Sequence, residues 1–421
     1  MKNVRRIPDC PESNEKFAAE VQSLPKVSSR GLALPPSPIR KLAPYADAAK
    51  SRGVSVFHLN IGQPDLETPK IMRDRLATVE PVIAYSPSAG TPAYLAALAR
   101  YYATVGLTVE PRHMIATTGG SEAVFFAFLC LAEAGDEVIV AEPFYTNYSS
   151  FAAMTGVKLV AVQCRGEEGF HLPPRAAFEK VVTKRTRFVL LCNPNNPTGT
   201  VYSREEVQGV ADFCRDHDLF FVSDEVYREF VYDGLCATSA LDLSGLEHRV
   251  VVVDSLSKRF SACGIRLGCF VSRNDDVIAA ANRAAQGRLS PPGLAQVMAL
   301  AMSDIGPEYY EGVRNEYQKR RDVIYAELLK LPDVFLRKPE GAFYVVARLP
   351  VADSDDFARF LLEDFSFEGK TVMVAPAAGF YATPGLGLNE VRMAYVLNTD
   401  DLRQAIRVLG EGLRAYKTTR G

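Results

Sequence analysis

Five short apolar runs, separated by helical stretches, constrain what this chain can fold into more than any other feature. They are Glu137–Ala141, Lys158–Val162, Arg187–Cys192, Leu219–Ser223 and Val250–Val253. Each carries apolar residues at consecutive positions, so both faces of the strand have to leave water. A sheet that is apolar on both faces needs a helical layer on each side, and strands that alternate with helices pair mostly in parallel. The expected class is α/β, three layers deep, with helices on both faces of a mostly parallel central sheet. From about residue 307 the texture changes to long charged helices over 308–331 and from Thr399 onward, with strand-like Gly341–Val346 and Glu390–Tyr395 between them. These read as a second, smaller α+β domain. For 421 residues, at roughly 150 per domain, the expected division is a tail or arm over 1–27, a large domain over 76–315, and a small one made of 28–75 plus 316–421.

Charge and composition narrow the function classes. With 48 Lys+Arg against 50 Asp+Glu the formal charge is -2, so nothing global attracts a nucleic acid or an acidic membrane surface. The longest apolar stretch, Ala123 to Ala132, is about half the roughly 20 residues a membrane helix needs. The N-terminus lacks an apolar signal core, and Asp9, Glu12, Glu15 and Glu20 oppose a mitochondrial presequence. A cytoplasmic protein with no nucleic-acid or membrane partner is expected. Eight cysteines (10, 130, 164, 192, 214, 236, 263 and 269) show no C-x-x-C spacing, and five histidines are scattered singly. Reduced, structural thiols and no metal are expected.

In open α/β sheets ligands collect outside the carboxyl ends of the strands, so the residues that follow each run carry the functional signal. Gly119-Gly120-Ser121-Glu122 follows Met114–Thr118 and opens a helix; free N–H groups there suit a phosphate, although a plain capped turn reads the same way. No G-x-x-x-x-G-K-[ST] occurs and no G-x-G-x-x-G follows a strand, which disfavours nucleotide-binding loops. Asn193–Gly199 holds three asparagine amides between two prolines and a glycine. Asp224, at the end of a buried run, requires either a salt bridge or a cationic ligand. Lys258 is a surface lysine or, if it faces the same crevice, an amine nucleophile; Arg266 follows with a fork suited to phosphate.

Taken together these residues resemble the class I aminotransferases, the aspartate-aminotransferase-like branch of the pyridoxal-phosphate enzymes of fold type I. The resemblance runs from about Ser28 to the C-terminus and rests on Asn195-Asn-Pro-Thr-Gly199, Ser223-Asp-Glu-Val-Tyr227, Ser255-Leu-Ser-Lys258 with Gly264-Ile-Arg266, and Asn389-Glu-Val-Arg392. It implies pyridoxal 5'-phosphate as cofactor. Lys258 would hold the cofactor covalently and move the substrate's α-proton, Asp224 would pair with its pyridine nitrogen, and Asn196 and Tyr227 would bond its phenolic oxygen. Gly120, Ser121, Ser255 and Arg266 would hold the phosphate. Arg392, with Gly62 and Asn196, would bind the substrate carboxylate, and Tyr85 would cross to a neighbouring subunit's phosphate in a homodimer. Two departures stand out. The chain has no Trp, so Tyr145 takes the stacking position, with Val226 behind the ring. Ser121-Glu122 also stands where one bacterial branch has a lysine for a dicarboxylate's distal carboxylate, which leaves Arg288 as the nearest reader.

The expected activity is a ping-pong transaminase with aspartate and 2-oxoglutarate as the favoured pair. Two alternatives keep the same cofactor residues. One is a broad or aromatic aminotransferase, its pocket lined by Tyr85, Phe144, Tyr145, Tyr148 and Phe380. The other is a lyase of carbon–sulfur or aminocyclopropane-carboxylate synthase type.

Overall fold

A computed structural model describes residues 25–420; the expected tail over 1–27 lies outside the described residues up to position 24. The chain lays down a short strand β1 (Ser55–His58) and then the seven strands of the main sheet: β2 (Met114–Thr117), β3 (Glu137–Glu142), β4 (Lys158–Gln163), β5 (Thr186–Cys192), β6 (Phe220–Asp224), β7 (Val250–Ser255) and β8 (Gly268–Ser272). Their spatial order is β2-β8-β7-β6-β5-β3-β4. Neighbours from β7 through β4 pair in parallel, whereas β8 runs antiparallel to both β7 and β2.

The period of two along a strand explains the continuous apolar runs. Val138, Val140, Leu190, Val222, Val251 and Val253 pack on one face, against the helices Gly119–Leu131, Asn147–Thr155 and Asp275–Arg288. Ile139, Ala141, Val189, Leu191, Phe221, Val250 and Val252 pack on the other, against Pro92–Thr104 and Arg204–Asp216. Thr91 caps the first of these, its hydroxyl accepting from the Tyr94 amide at 3.3 Å, with Pro92 at the first helical position. Two sequence expectations need correction. The run Lys158–Val162 is not covered on both faces: as an edge strand it has little of its length fully buried. The return strand β8 was not expected, because its five residues closely follow the Gly264-Ile-Arg266 segment and form too short a run to stand out.

Beyond the main sheet lie β9 (Phe335–Leu336), β10 (Tyr344–Arg348), β11 (Lys370–Met373), β12 (Ala375–Pro376) and β13 (Glu390–Ala394). Four of these form an antiparallel sheet in the order β12-β13-β10-β9. β1 pairs in parallel with β11, from Ser55 opposite Lys370 to His58 opposite Met373, so a segment near residue 55 joins one more than 300 positions later. The helices Pro307–Leu328 and Thr399–Arg420 share one core, in which Val313, Tyr317, Ile324 and Leu328 accompany Leu402, Ile406 and Leu409. The first of them stops three residues short of the expected 331. No helix among the described residues is long and apolar enough to cross a membrane.

His171 ties two parts of the fold through carboxylates. Its Nδ1 lies 3.0 Å from Glu206, the residue that closes the capping box with Ser203, and its Nε2 lies 3.7 Å from Glu340. Hydrogen bonds to Glu206 and then Glu340 push its pKa up to about 10. A raised folded-state pKa stabilises fully below the unfolded value near 6.5, and the contribution is lost as pH rises toward 10. The melting temperature of H171Q should therefore lie below that of the wild type at pH 6, and the gap should close by pH 10. A gap independent of pH would remove the ion-pair explanation.

Candidate active site

The carboxyl ends of the parallel strands, with the amino end of antiparallel β8, open on a cavity of about 520 Å³. Its floor is Asp224, the last residue of β6, whose carboxylate accepts from the Tyr148 hydroxyl at 2.7 Å and from the Val226 amide at 3.4 Å. Among the described residues no Lys, Arg or His pairs with it. Burial pushes its pKa up to about 6 against these two hydrogen bonds. A carboxylate held this way favours any cationic group placed above it.

Lys258 enters from the turn after β7. Ser255 caps the short helix Leu256–Arg259, and Lys258 Nζ donates to the Gly62 carbonyl at 2.9 Å, 3.8 Å from Cys263 Sγ. The helix is anchored from below. The Asp254 carboxylate accepts from the Ser255 amide at 2.7 Å, from Tyr102 at 3.1 Å and from the Arg259 guanidinium. Burial would raise the Asp254 pKa, but Arg259 and Arg228 outweigh it and hold the group below its ordinary value.

At one end of the cavity the chain offers anion ligands. The helix Gly119–Leu131 begins with no side-chain cap, so its first N–H groups and the positive end of its dipole face Gly120 and Ser121 at the cavity wall. Gly119 has φ +71°, and a Cβ there would lie 2.5 Å from Arg266 Nη2, so only glycine lets the guanidinium lie against the turn. Arg266 donates to the Cys263 carbonyl at 3.0 Å, and the Ser255 and Ser257 hydroxyls are 2.9 Å apart beside it.

The opposite wall carries Arg392, in the middle of β13 and fully buried. Its guanidinium donates to the Asn60 carbonyl at 2.5 Å and to Asn196 Oδ1 at 3.1 Å, and it lies between the rings of Tyr344 (4.6 Å) and Phe380 (5.0 Å). No carboxylate among the described residues pairs with it, Nε lacks a partner, and burial lowers its pKa. It is a fork awaiting an anion. Asn196 connects this wall to the centre, because its amide also donates to Tyr227 Oη at 3.4 Å. Tyr227 in turn shares a 2.9 Å hydrogen bond with Tyr344. A Cβ on Gly62 would collide with the Tyr344 hydroxyl at 1.9 Å, so this corner too requires glycine.

Of the residues singled out from sequence, Gly62, Gly120, Ser121, Tyr145, Asn196, Asp224, Val226, Tyr227, Ser255, Lys258, Arg266 and Arg392 all line this one cavity. Two do not. Tyr85 is 81% exposed. Arg288 faces away, with its guanidinium bonded to Glu122 at 3.0 Å and to the Ser88 and Ala116 carbonyls at 2.9 and 3.2 Å. Glu122 accepts in addition from the Thr118 amide at 2.7 Å, so Arg288 braces the Gly119–Glu122 turn from behind. The expected aromatic pocket also needs correction, since of its five residues only Tyr145 lines the cavity. Phe144 stacks on Tyr148, whose hydroxyl is taken by Asp224, and Phe380 lies under Arg392. The sequence reading gave no role to Tyr344, Asn60 or Arg40. Tyr344 and Arg392 lie on adjacent strands two register steps apart, a relation that appears only once the strands are paired.

The cavity walls thus combine a buried acid, an amine, an anion cradle at one end and an arginine fork at the other. Comparison with known proteins identifies the family. The sequence profile described as aminotransferase class I and II matches residues 54–409. The aspartate aminotransferase of Bacillus subtilis (strain 168) is 30% identical over 392 residues, which cover 90% of this chain and 97% of the relative. The aspartate/prephenate aminotransferase of Thermus thermophilus is 32% identical over 396 residues, 91% of this chain and 99% of that one. Among solved structures, Thermus thermophilus aspartate aminotransferase with maleate superimposes with a TM-score of 0.83 at 29% identity, covering 92% of this chain and 100% of that one. Alanine aminotransferase from Pyrococcus furiosus gives 0.85 at 26% identity, covering 93% and 100%.

The raised pKa of Asp224 has a direct consequence for the cofactor-free protein. A folded-state pKa above the unfolded value near 3.9 means stability that is present below pH 4 and lost as pH rises through 6. D224N should therefore melt at a higher temperature than the wild type at pH 7.5 without cofactor, and the advantage should vanish near pH 4. Wild type melting at or above D224N at pH 7.5 would show that the carboxylate has a cation partner after all.

Proposed function

The chain belongs to the class I and II aminotransferases, and from that premise we propose that it exchanges an amino group between aspartate and 2-oxoglutarate, using pyridoxal 5'-phosphate, in two successive half-reactions. The observation that carries this reading is the pair of buried, unpaired and opposite charges, Asp224 and Arg392, facing one cavity that Lys258 also lines. Pyridoxal phosphate, when bound, supplies a ring that takes up the electrons of the broken Cα–H bond. Asp224 keeps the ring nitrogen protonated, with Tyr148 fixing the orientation of the carboxylate. Asn196 and Tyr227 hold the phenolic oxygen, and Tyr145 offers a π-face. Gly120, Ser121, Ser255 and Arg266 hold the phosphate. Arg392, oriented by the Asn60 carbonyl and Asn196, grips the α-carboxylate in a bidentate manner. Lys258 Nζ would take the proton from the substrate Cα and return it on the far side of the exchange; without cofactor it donates to the Gly62 carbonyl.

Relatives named aspartate aminotransferase support aspartate as donor, and the structural likeness to an alanine aminotransferase makes alanine the comparison substrate. We propose further that the enzyme is a cytoplasmic homodimer, with the small unit formed by 28–75 and 316–421. The free cysteines among the described residues fit a reducing compartment. Val82 (77% exposed), Ile83 (67%) and Tyr85 present an apolar surface that a second copy would cover. Tyr85 would thereby reach the partner's phosphate.

Purified protein loaded with pyridoxal phosphate should convert to the amino form of the cofactor with aspartate, read by absorbance, and return with 2-oxoglutarate. K258A should lose at least about 10⁴-fold of turnover, and D224N about 100-fold. Release of pyruvate or sulfide without that conversion would replace the transaminase by a lyase. In light scattering the protein should have twice the monomer mass. Y85F should weaken cofactor retention about 10-fold, the loss expected for one hydrogen bond to a charged group; unchanged retention would detach Tyr85 from the phosphate.

A further inference from the structure

Four cationic side chains line the cavity (Lys258, Arg266, Arg392 and Arg40) against one carboxylate, Asp224. In the proposed reaction three of them have a partner: Lys258 at the reacting centre, Arg266 at the phosphate, Arg392 at the α-carboxylate. Arg40 is left over. Among the described residues its guanidinium makes no hydrogen bond or ion pair, although its neighbour Lys41 is paired with Asp355. Arg288, the reader named from sequence, is occupied by Glu122.

Arg40 does not sit on a loose segment. The Arg40 and Lys41 amides donate to the Ser37 carbonyl at 3.2 and 3.0 Å, and the Ala43 amide returns to the Arg40 carbonyl at 3.0 Å, which leads the turn into the helix Ala43–Ser51. Pro38 packs so closely on Gly379 that a Cβ there would lie 2.7 Å from it. Ile39 packs against the cluster around Phe380, whose ring supports Arg392. Asn60 completes the connection: its amide donates to the Ile39 carbonyl at 3.3 Å while its own carbonyl accepts from Arg392 at 2.5 Å. One buried asparagine thus fixes both the α-carboxylate fork and the turn that bears Arg40. Both guanidiniums also act on one phenol: burial, with Tyr344 and Asp224, pushes the Tyr145 pKa up to about 12, and Arg392 and Arg40 draw it down.

We propose that Arg40 is the specificity residue that reads the distal carboxylate of a dicarboxylate substrate whose α-carboxylate lies on Arg392. The proposal rests on the aminotransferase reading above and assigns its side-chain subsite to this chain's own N-terminal turn. A substrate that places one carboxylate on Arg392 has a second anion for Arg40 only if its side chain ends in one. An exposed guanidinium with five donors and no internal partner can close on that group without breaking a bond within the protein.

The test uses the loaded enzyme in wild-type, R40L, R40Q and R40K forms. The ratio of kcat/KM for aspartate to that for alanine should fall about 30-fold in R40L and R40Q, mostly through KM, and R40K should recover part of it. Calorimetric titration with succinate, which cannot react, should show a similar loss of affinity in R40L and R40Q, while the weaker binding of propionate should change less. Equal losses for aspartate and alanine, or succinate binding as tightly to R40L as to wild type, would overturn the proposal and leave Arg40 a surface arginine. If the wild type converts no amino acid at all, the aminotransferase reading fails instead, and the succinate titration still decides Arg40.

Discussion

A buried carboxylate and a buried guanidinium share one cavity here and do not pair with each other, and much of the surrounding structure serves to keep it so. Removing either charge from water costs several kcal/mol unless a partner is found. Asp224 receives only a phenol and an amide, whereas Arg392 receives two carbonyl oxygens and two aromatic faces. Asn196 and Tyr227 line the same cavity and are bonded in series to Arg392, neutral groups that neutralise neither charge. Comparison with Asp254, one strand away, shows that this is a choice of surroundings and not of strand position. Asp254 lies at the same depth but meets Arg259 and Arg228, and its pKa falls where that of Asp224 rises. One aspartate is a structural anchor beneath Lys258; the other is held ready for a cation that comes from outside the chain.

The sheet geometry makes this arrangement possible. Parallel strands end at one edge, so Asp224, the Lys258 turn and the Asn193–Gly199 loop are delivered to the same place from points about 65 residues apart at most. Because β8 is antiparallel, its beginning lies at that edge too, which is how Arg266 reaches Gly119. The remaining wall comes from β10, β13 and the turn after β1, all outside the main sheet. The main sheet therefore supplies Asp224, Lys258 and Arg266, and the elements outside it supply Arg392 and Tyr344.

That division explains what was legible in the sequence. Residues such as Asp224, Lys258 and Arg266 follow apolar strands directly, and the rule that ligands gather at strand ends points to them without any tertiary knowledge. Arg392 became legible only through resemblance, because an arginine within a strand has no local signal of function. The edge character of β4 was hidden, since Leu159, Val160 and Ala161 read as buried until the strand order is known. Arg288 was named through resemblance alone, as the arginine nearest to a reader's place, and its partner Glu122, 166 positions away, has no local signal either. Arg40 carried no signal at all. It sits beside a proline-rich segment that reads as a linker, and only the contacts of Pro38, Ile39 and Asn60 bring it to the cavity.

The position of Asn60 has one more consequence. Its backbone carbonyl and its side-chain amide act on two different segments, Arg392 and Ile39, so any shift of the turn that bears Arg40 is felt at the α-carboxylate fork, and the reverse. A substrate that engages Arg392 therefore acts on a wall that is mechanically continuous with Arg40, whereas Asp224, Lys258 and Arg266 are fixed independently by the main sheet and by Asp254. Selection among side chains can then be retuned at the turn while the groups that anchor the cofactor and move the proton stay in register. The fold is shared with proteins that carry aspartate or alanine in their names, and in this chain the proposed side-chain subsite lies on the wall that the main sheet does not build.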